Sequence, residues 1–223
     1  MIGELVPGSV ATEWRLDDSE PVTLFPEEAA LVAKAVERRQ QEFATVRHCA
    51  RLALGRFGVP ETPLTPGPRG EPRWPAGIAG SMTHCDGYRA AAVARTADVV
   101  SLGIDAEPAG PLPDGVLGVV SLPEERRHLA ALEERTPETS WDKLLFSAKE
   151  SVFKTWYPLT GRELDFEEAV VEFTPEDGEG RAGTFHARLL VPGPTVGGAP
   201  REHFTGRWLA RGGLVVTAIV LTR

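Results

Sequence analysis

Two blocks of helix-forming sequence are each followed by strand-forming sequence, and this order predicts an α+β protein built from two similar α/β lobes. A chain of 223 residues is long enough for two such lobes, each with an apolar face to bury. Gly and Pro together make up about 19% of it, which is loop-rich but below the level of low-complexity disorder.

The first block opens at Pro26-Glu-Glu-Ala-Ala, with Pro at a first helical position and acids in the first turn. Apolar residues recur at helical spacing through Leu31, Val32, Ala35 and Val36, then Phe43, Val46, Ala50, Ala53 and Leu54, up to Gly58. Residues 26–57 therefore read as two helices. Residues 59–77 hold six prolines and three glycines and read as loop. Strands are predicted at Ile78–Thr83, Arg89–Ala94 and Val99–Glu107. The second block has helices at 123–135 and 140–157, the latter stopped by Pro158. Strands follow at 166–173, 184–191, 203–210 and 214–221, with solvated loops at 174–183 and 192–202.

The net charge of −8 excludes a protein that coats nucleic acid with a bulk positive field. The charge is unevenly spread, however. Residues 34–95 carry ten Lys/Arg against five Asp/Glu, a net of +5, so the remainder carries −13. Only four lysines are present, and Lys143, Lys149 and Lys154 fall within twelve positions. No apolar run is long enough to span a membrane, and the first residues lack the basic start and apolar stretch of a signal peptide. Two cysteines make no disulfide framework, so the expected compartment is the cytoplasm.

Chemistry concentrates in three segments. In a strand over Ser101-Leu-Gly-Ile-Asp-Ala-Glu-Pro108, Ser101, Gly103, Asp105 and Glu107 share one face, while Leu102, Ile104 and Ala106 take the other. Two same-face carboxylates beside a glycine suit a hard cation such as Mg²⁺, or simply a solvated acidic face. On the helix 140–157, Trp141, Leu145, Ala148, Val152 and Trp156 form a core stripe, and Lys143, Ser147, Glu150 and Lys154 form another. Glu150–Lys154 is either a surface ion pair or, among Phe146, Phe153 and Trp156, a functional one. Gly80-Ser-Met-Thr-His-Cys-Asp-Gly87 offers Thr83 and His84 to an anion, or is a capped turn. Adjacent His48-Cys49 and His84-Cys85 cannot readily chelate one zinc ion. Serine-hydrolase, P-loop, Rossmann and H-E-x-x-H patterns are absent. Three carboxylates, a lysine, a histidine and an arginine-rich helix together describe a metal-assisted site for a ligand with several phosphates.

Gly103-Ile-Asp-Ala-Glu107, followed by Phe146-Ser-Ala-Lys-Glu-Ser-Val-Phe-Lys154, resembles the signature pair of the 4′-phosphopantetheinyl transferases. Arg47-His-Cys-Ala-Arg51, Arg69-Gly-Glu-Pro72 with Trp74-Pro75, and Ser81-Met-Thr-His84 extend the resemblance in order over about residues 38–165. The length resembles that of the large monomeric type rather than the half-sized trimeric one. The resemblance implies two lobes related by a pseudo-two-fold axis, residues 1–104 and 105–223, with the active site between them. It implies transfer of the 4′-phosphopantetheine arm of coenzyme A to a serine of an apo acyl or peptidyl carrier protein, releasing 3′,5′-ADP. Nucleic acid and membranes are not expected partners. By the same resemblance, Asp105, Glu107 and Glu150 hold Mg²⁺ (or Mn²⁺), with Glu150 either a ligand only or also the base. Lys154 stabilises charge on the phosphate, and His84 contacts a coenzyme A phosphate. Arg39, Arg47 and Arg69 bind the 3′-phosphate and pyrophosphate, with Thr83 and Lys149 as further contacts. Ala106 stands where many members carry a larger residue, and Glu71 where some carry lysine. Two other readings of the same acids stand open: a different Mg²⁺-dependent phosphotransferase or nucleotide hydrolase, and a non-catalytic coenzyme A-binding module.

Overall fold

The computed structural model describes residues 1–176 and 178–222; Asp177, within the loop expected over 174–183, and Arg223 lie outside the described residues. The first sheet contains β1 (Val10–Arg15), β2 (Ile78–Cys85) and β3 (Tyr88–Arg95), antiparallel in the order β1-β3-β2. The helices α1 (Pro26–Val32) and α2 (Glu37–Gly55) precede β2, and α2 packs on β1 and β3. The expected helical stretch 26–57 is thus two helices, and 59–77 carries only an isolated bridge between Pro66 and Pro72.

The second sheet joins β4 (Val99–Pro108) to the C-terminal strands. After α3 (Val116–Val120), α4 (Pro123–Glu133) and α5 (Trp141–Thr160) come β5 (Ala169–Pro175), β6 (Ala182–Leu189) and the short pair β7 (Thr195–Val196) and β8 (Ala199–Pro200). β9 (His203–Arg211) and β10 (Leu214–Thr222) complete the antiparallel order β4-β10-β9-β6-β5. By its hydrogen bonds β4 therefore belongs with the C-terminal strands, and a division between residues 104 and 105 falls inside it. The switch from one sheet to the other comes in the turn between β3 and β4.

Several elements depart from expectation: α3 was not predicted, and the β7–β8 pair lies in the expected loop 192–202. β1 was not predicted, because Val10 and Ala11 are both buried and break the two-residue alternation. Residues 166–168 form a 3-10 turn, and β5 starts after it. The last helix does not stop at Pro158: α5 continues to Thr160 and ends at Gly161, whose φ of 63° places it in the left-handed region. Proline removes one backbone donor, a loss confined here to the final turn, and Gly161 N–H still donates to the Tyr157 carbonyl. Among the described residues, no helix is long and apolar enough to cross a membrane.

β3 is buried on both faces. Ala90, Ala92 and Ala94 pack with Leu102, Ile104 and Ala106 of β4, while Ala91 and Val93 turn toward Cys49, Ala50 and Ala53 of α2. A third core, including Trp141, Trp156, Phe173, Phe185 and Trp208, lies between α5 and the second sheet. The edge strands β2 and β4 run side by side. Ser81 Oγ accepts from Ile104 N–H and Thr83 Oγ1 from Ala106 N–H, both at 3.1 Å, so hydroxyls on one strand satisfy backbone donors on the other.

The face of β4 read from sequence as Ser101, Gly103 and Asp105 is the one α5 covers. Ser101 Oγ donates to the Thr155 carbonyl at 2.8 Å, and a Cβ at Gly103 would collide with the Ser151 carbonyl and Thr155. Gly103→Ala is therefore expected to lower stability by about 1–3 kcal/mol, read as a lower urea midpoint. An unchanged midpoint would contradict this close approach.

Candidate active site

A cavity of ≈ 880 Å³ lies between the two halves of the chain and receives side chains from α2, β2, the 59–77 loop and α5. That volume is in the range of small-molecule sites. On α2, Arg39, Phe43 and Arg47 repeat every four residues and so share one face. His84 enters from β2, Arg69 from the loop, and Glu150 and Lys154 from α5. Six of the residues expected from the sequence are gathered here.

Each cation in the cleft is held. The Arg47 guanidinium lies over the Phe43 ring, 3.2 Å from its centroid, and Nε donates to the Leu64 carbonyl at 3.3 Å. Burial pushes its pKa down to about 10, which leaves it charged at neutral pH. Arg39 Nη1 lies 2.6 Å from His84 Nε2, an arrangement in which arginine donates to a neutral imidazole. Arg69 Nε lies 2.5 Å from Glu163 Oε1 in the loop after α5, so this expected phosphate ligand is already ion-paired.

Asp105 is 4% exposed and meets the cavity through Lys154, which lines it. Its Oδ1 accepts from Lys154 Nζ at 2.7 Å and from Thr83 Oγ1 at 3.2 Å. Lys154 thus turns to Asp105 rather than to Glu150 one turn back on its own helix. Burial works against the Lys154 charge, but the carboxylates around it, Asp105 first and then Glu150 and Glu107, together outweigh that and raise its pKa. Glu107 and Glu150 are both pushed above the usual carboxylate range, chiefly by burial; for Glu107 the Asp105 charge is the next cause. Lys143, which had no assigned task in the sequence, acts in the opposite sense on Glu107.

The expected metal ligands meet a mixed test. Among the described residues, no three His, Cys, Asp or Glu side chains stand close enough together to hold a metal ion, so Asp105, Glu107 and Glu150 are not gathered into one coordination shell. Lys154 supplies the positive charge on Asp105 Oδ1. The donor chemistry nevertheless fits a hard cation, because all three are carboxylates and Asp105 Oδ2 is buried with no hydrogen-bond partner.

Four expected site residues are not among those that line the cleft: Asp105 and Glu107 of β4, Thr83 of β2 and Lys149 of α5. Thr83 is buried, and its hydroxyl is engaged with Asp105 and the backbone of β4. Strand alternation already separates it from His84. Lys149, also buried, lines a smaller cavity and spends its ammonium on Glu125 at 2.8 Å and on the Phe166 and Ala169 carbonyls at 2.6 and 3.0 Å. Neighbouring helix positions point about 100° apart, so with Glu150 toward the cleft Lys149 must face elsewhere. Sequence reasoning missed Phe43 as the support of Arg47 and Glu163 as the counter-ion of Arg69. The four-residue spacing from Phe43 to Arg47 was a signal for the first; nothing in the sequence pointed to the second.

Burial, and then the Arg39 charge, hold His84 below the usual imidazole value; burial and His203 do the same for His186. The unfolded chain therefore binds more protons than the folded one as pH falls below about 6.5, and stability declines in that direction. His84→Gln is expected to reduce the loss of thermal midpoint between neutral pH and pH 5. A loss identical to wild type would show that His84 does not titrate this way.

The chain is similar to known proteins over both of its halves. Residues 27–94 match the family model of the 4′-phosphopantetheinyl transferase N-terminal domain, and residues 101–190 match that of the 4′-phosphopantetheinyl transferase superfamily. The chain is 63% identical over 224 residues to 4′-phosphopantetheinyl transferase Svp of Streptomyces mobaraensis, covering 99% of this chain and 89% of that protein. It is 49% identical over 222 residues to 4′-phosphopantetheinyl transferase Npt of Nocardia iowensis, covering 98% and 99%. It is 50% identical over 205 residues to 4′-phosphopantetheinyl transferase PptT of Mycobacterium tuberculosis, covering 92% and 88%. With likeness over nearly its whole length and both halves matched, the chain belongs to the 4′-phosphopantetheinyl transferase superfamily and is a transferase of the phosphopantetheine arm.

Proposed function

We propose that the cleft between α2 and α5 binds coenzyme A and transfers its 4′-phosphopantetheine arm to a serine of an apo acyl or peptidyl carrier protein of polyketide or nonribosomal peptide synthases. The observation that carries this reading is the meeting, in one cavity, of three arginines and a histidine from the first half with Glu150 and Lys154 from the second. The enzyme acts as a monomer of the large type in the cytoplasm. The two halves are pseudo-symmetric lobes, with the active site between them. The packing of α2 on β1 and β3, matched by that of α5 on β4 and β10, supports this.

Arg39, Arg47 and Arg69 receive the 3′-phosphate and pyrophosphate, Arg69 exchanging Glu163 for the ligand. His84, neutral and accepting from Arg39 at Nε2, carries its proton on Nδ1 and donates it in a hydrogen bond to a phosphate oxygen. Asp105, Glu107 and Glu150 would hold Mg²⁺, or Mn²⁺, which supplies charge neutralisation on the pyrophosphate when bound. Glu150, whose pKa burial raises, takes the proton of the incoming serine hydroxyl. The serine oxygen bonds to the β-phosphorus, the bond from that phosphorus to the bridging oxygen breaks, and 3′,5′-ADP leaves. Lys154 balances the charge on the phosphoryl group during transfer.

Incubation with coenzyme A, Mg²⁺ and an apo carrier protein is expected to add the mass of one phosphopantetheine arm to the carrier, and Asp105→Ala to abolish the gain. Full activity in Asp105→Ala would reject the role of these acids. Arg47→Ala is expected to raise KM for coenzyme A much more than for dephospho-coenzyme A. Equal increases would remove Arg47 from the 3′-phosphate.

A further inference from the structure

The short helices α1 and α4 open with the same local signature, an apolar residue followed by Pro-Glu-Glu: Phe25-Pro26-Glu27-Glu28 and Leu122-Pro123-Glu124-Glu125. In each, the apolar residue is the N-cap in extended conformation and Pro takes the first helical position. An apolar N-cap offers no side-chain oxygen, so the second glutamate reaches back to its backbone N–H. Glu28 Oε2 accepts from Phe25 N–H at 3.1 Å, and Glu125 Oε2 from Leu122 N–H at 2.7 Å.

A cap needs no burial, yet Glu28 is 0% and Glu125 1% exposed, while Glu27 and Glu124 face solvent. Both buried carboxylates also take a cation from the long helix of their own half. Arg51 Nη1 of α2 donates to both Glu28 oxygens at 3.1 and 3.0 Å, and Lys149 Nζ of α5 donates to Glu125 Oε2 at 2.8 Å. Each then accepts one more backbone N–H, from Leu64 before β2 or from Val171 in β5, at 2.9 and 2.8 Å. Cap, cation and backbone donor recur in both halves.

Buried ion pairs add little net stability, because desolvation offsets attraction; they constrain geometry. Both pairs stand next to the cleft. Glu28 Oε1 lies 3.7 Å from Arg47 Nε, one turn before Arg51 on α2, and Lys149 immediately precedes Glu150 on α5. We infer that Glu28 and Glu125 are matched positioning residues, one per half, locking the rotation of α2 and α5 so that Arg47 and Glu150 face the ligand from opposite walls. The inference rests on the functional reading of the cleft above.

The test uses the full chain with Glu28→Gln and Glu125→Gln, and with Glu27→Gln and Glu124→Gln as exposed controls. Coenzyme A affinity is measured by calorimetry, carrier loading by kinetics, and Leu64 and Val171 amide exchange by NMR. Glu28→Gln is expected to weaken coenzyme A binding about tenfold or more with kcat little changed, and Glu125→Gln to lower kcat by a similar factor with binding little changed. Each should speed exchange of its own amide only, and the controls should resemble wild type. If either Gln variant does not fold, Arg51→Lys or Lys149→Arg keeps the charge, and a smaller split of the same form is expected. Unchanged constants, or binding and kcat falling together in proportion to the folded fraction, overturn the positioning role. A wild-type chain that neither binds coenzyme A nor loads a carrier overturns the reading of the cleft itself, and the positioning role with it, even if the two amides respond as expected.

Discussion

At Gly103 the backbone of α5 lies against β4 with no room for a Cβ, and the rest of the site depends on that contact. Because the helix comes this close, Lys154 reaches Asp105 and Glu150 enters the cavity from the same helix. The edge of β4 is held in turn by β2, whose Ser81 and Thr83 hydroxyls satisfy backbone donors of β4. Thr83 contributes twice, since its own proton goes to Asp105. The acid is thereby fixed by two halves of the chain at once, and its second oxygen is left without a partner.

Charge follows the same division. The arginine-rich stretch supplies α2 with Arg39 and Arg47, each held by a neighbour rather than free in solvent. The acids come from outside that stretch; burial raises the pKa of Glu150, and burial followed by the Asp105 charge raises that of Glu107. A cavity with arginines on one wall and Glu150 with the Lys154 ammonium on the other suits a ligand whose phosphates carry charge at one end and react at the other. Buried glutamates behind each wall, Glu28 and Glu125, tie the helices that present these groups to their own short capping helices.

Much of this was legible in the sequence because it is local. Helical spacing in 26–57 and in 141–157, the proline-rich break after residue 58, and the shared face of Ser101, Gly103 and Asp105 all follow from periods of 3.6 and 2. Pro158 misled because a proline costs one backbone bond, and one bond in a final turn does not end a helix whose apolar face is already packed. β1 escaped because it is buried irregularly against β3.

What the sequence determined by itself was the set of chemical groups and their local facing: acids alternating along one strand, an acid and a lysine one turn apart, arginines at helical spacing. Partnership was decided only by the tertiary structure. Lys154 pairs with Asp105 rather than Glu150, Lys149 is spent on Glu125, Arg69 on Glu163, and β4 joins β10 instead of β3. The physical reason is that such pairs join residues far apart in the chain. Local periodicity states which way a side chain points, and only the packing of one element on another states what it meets there.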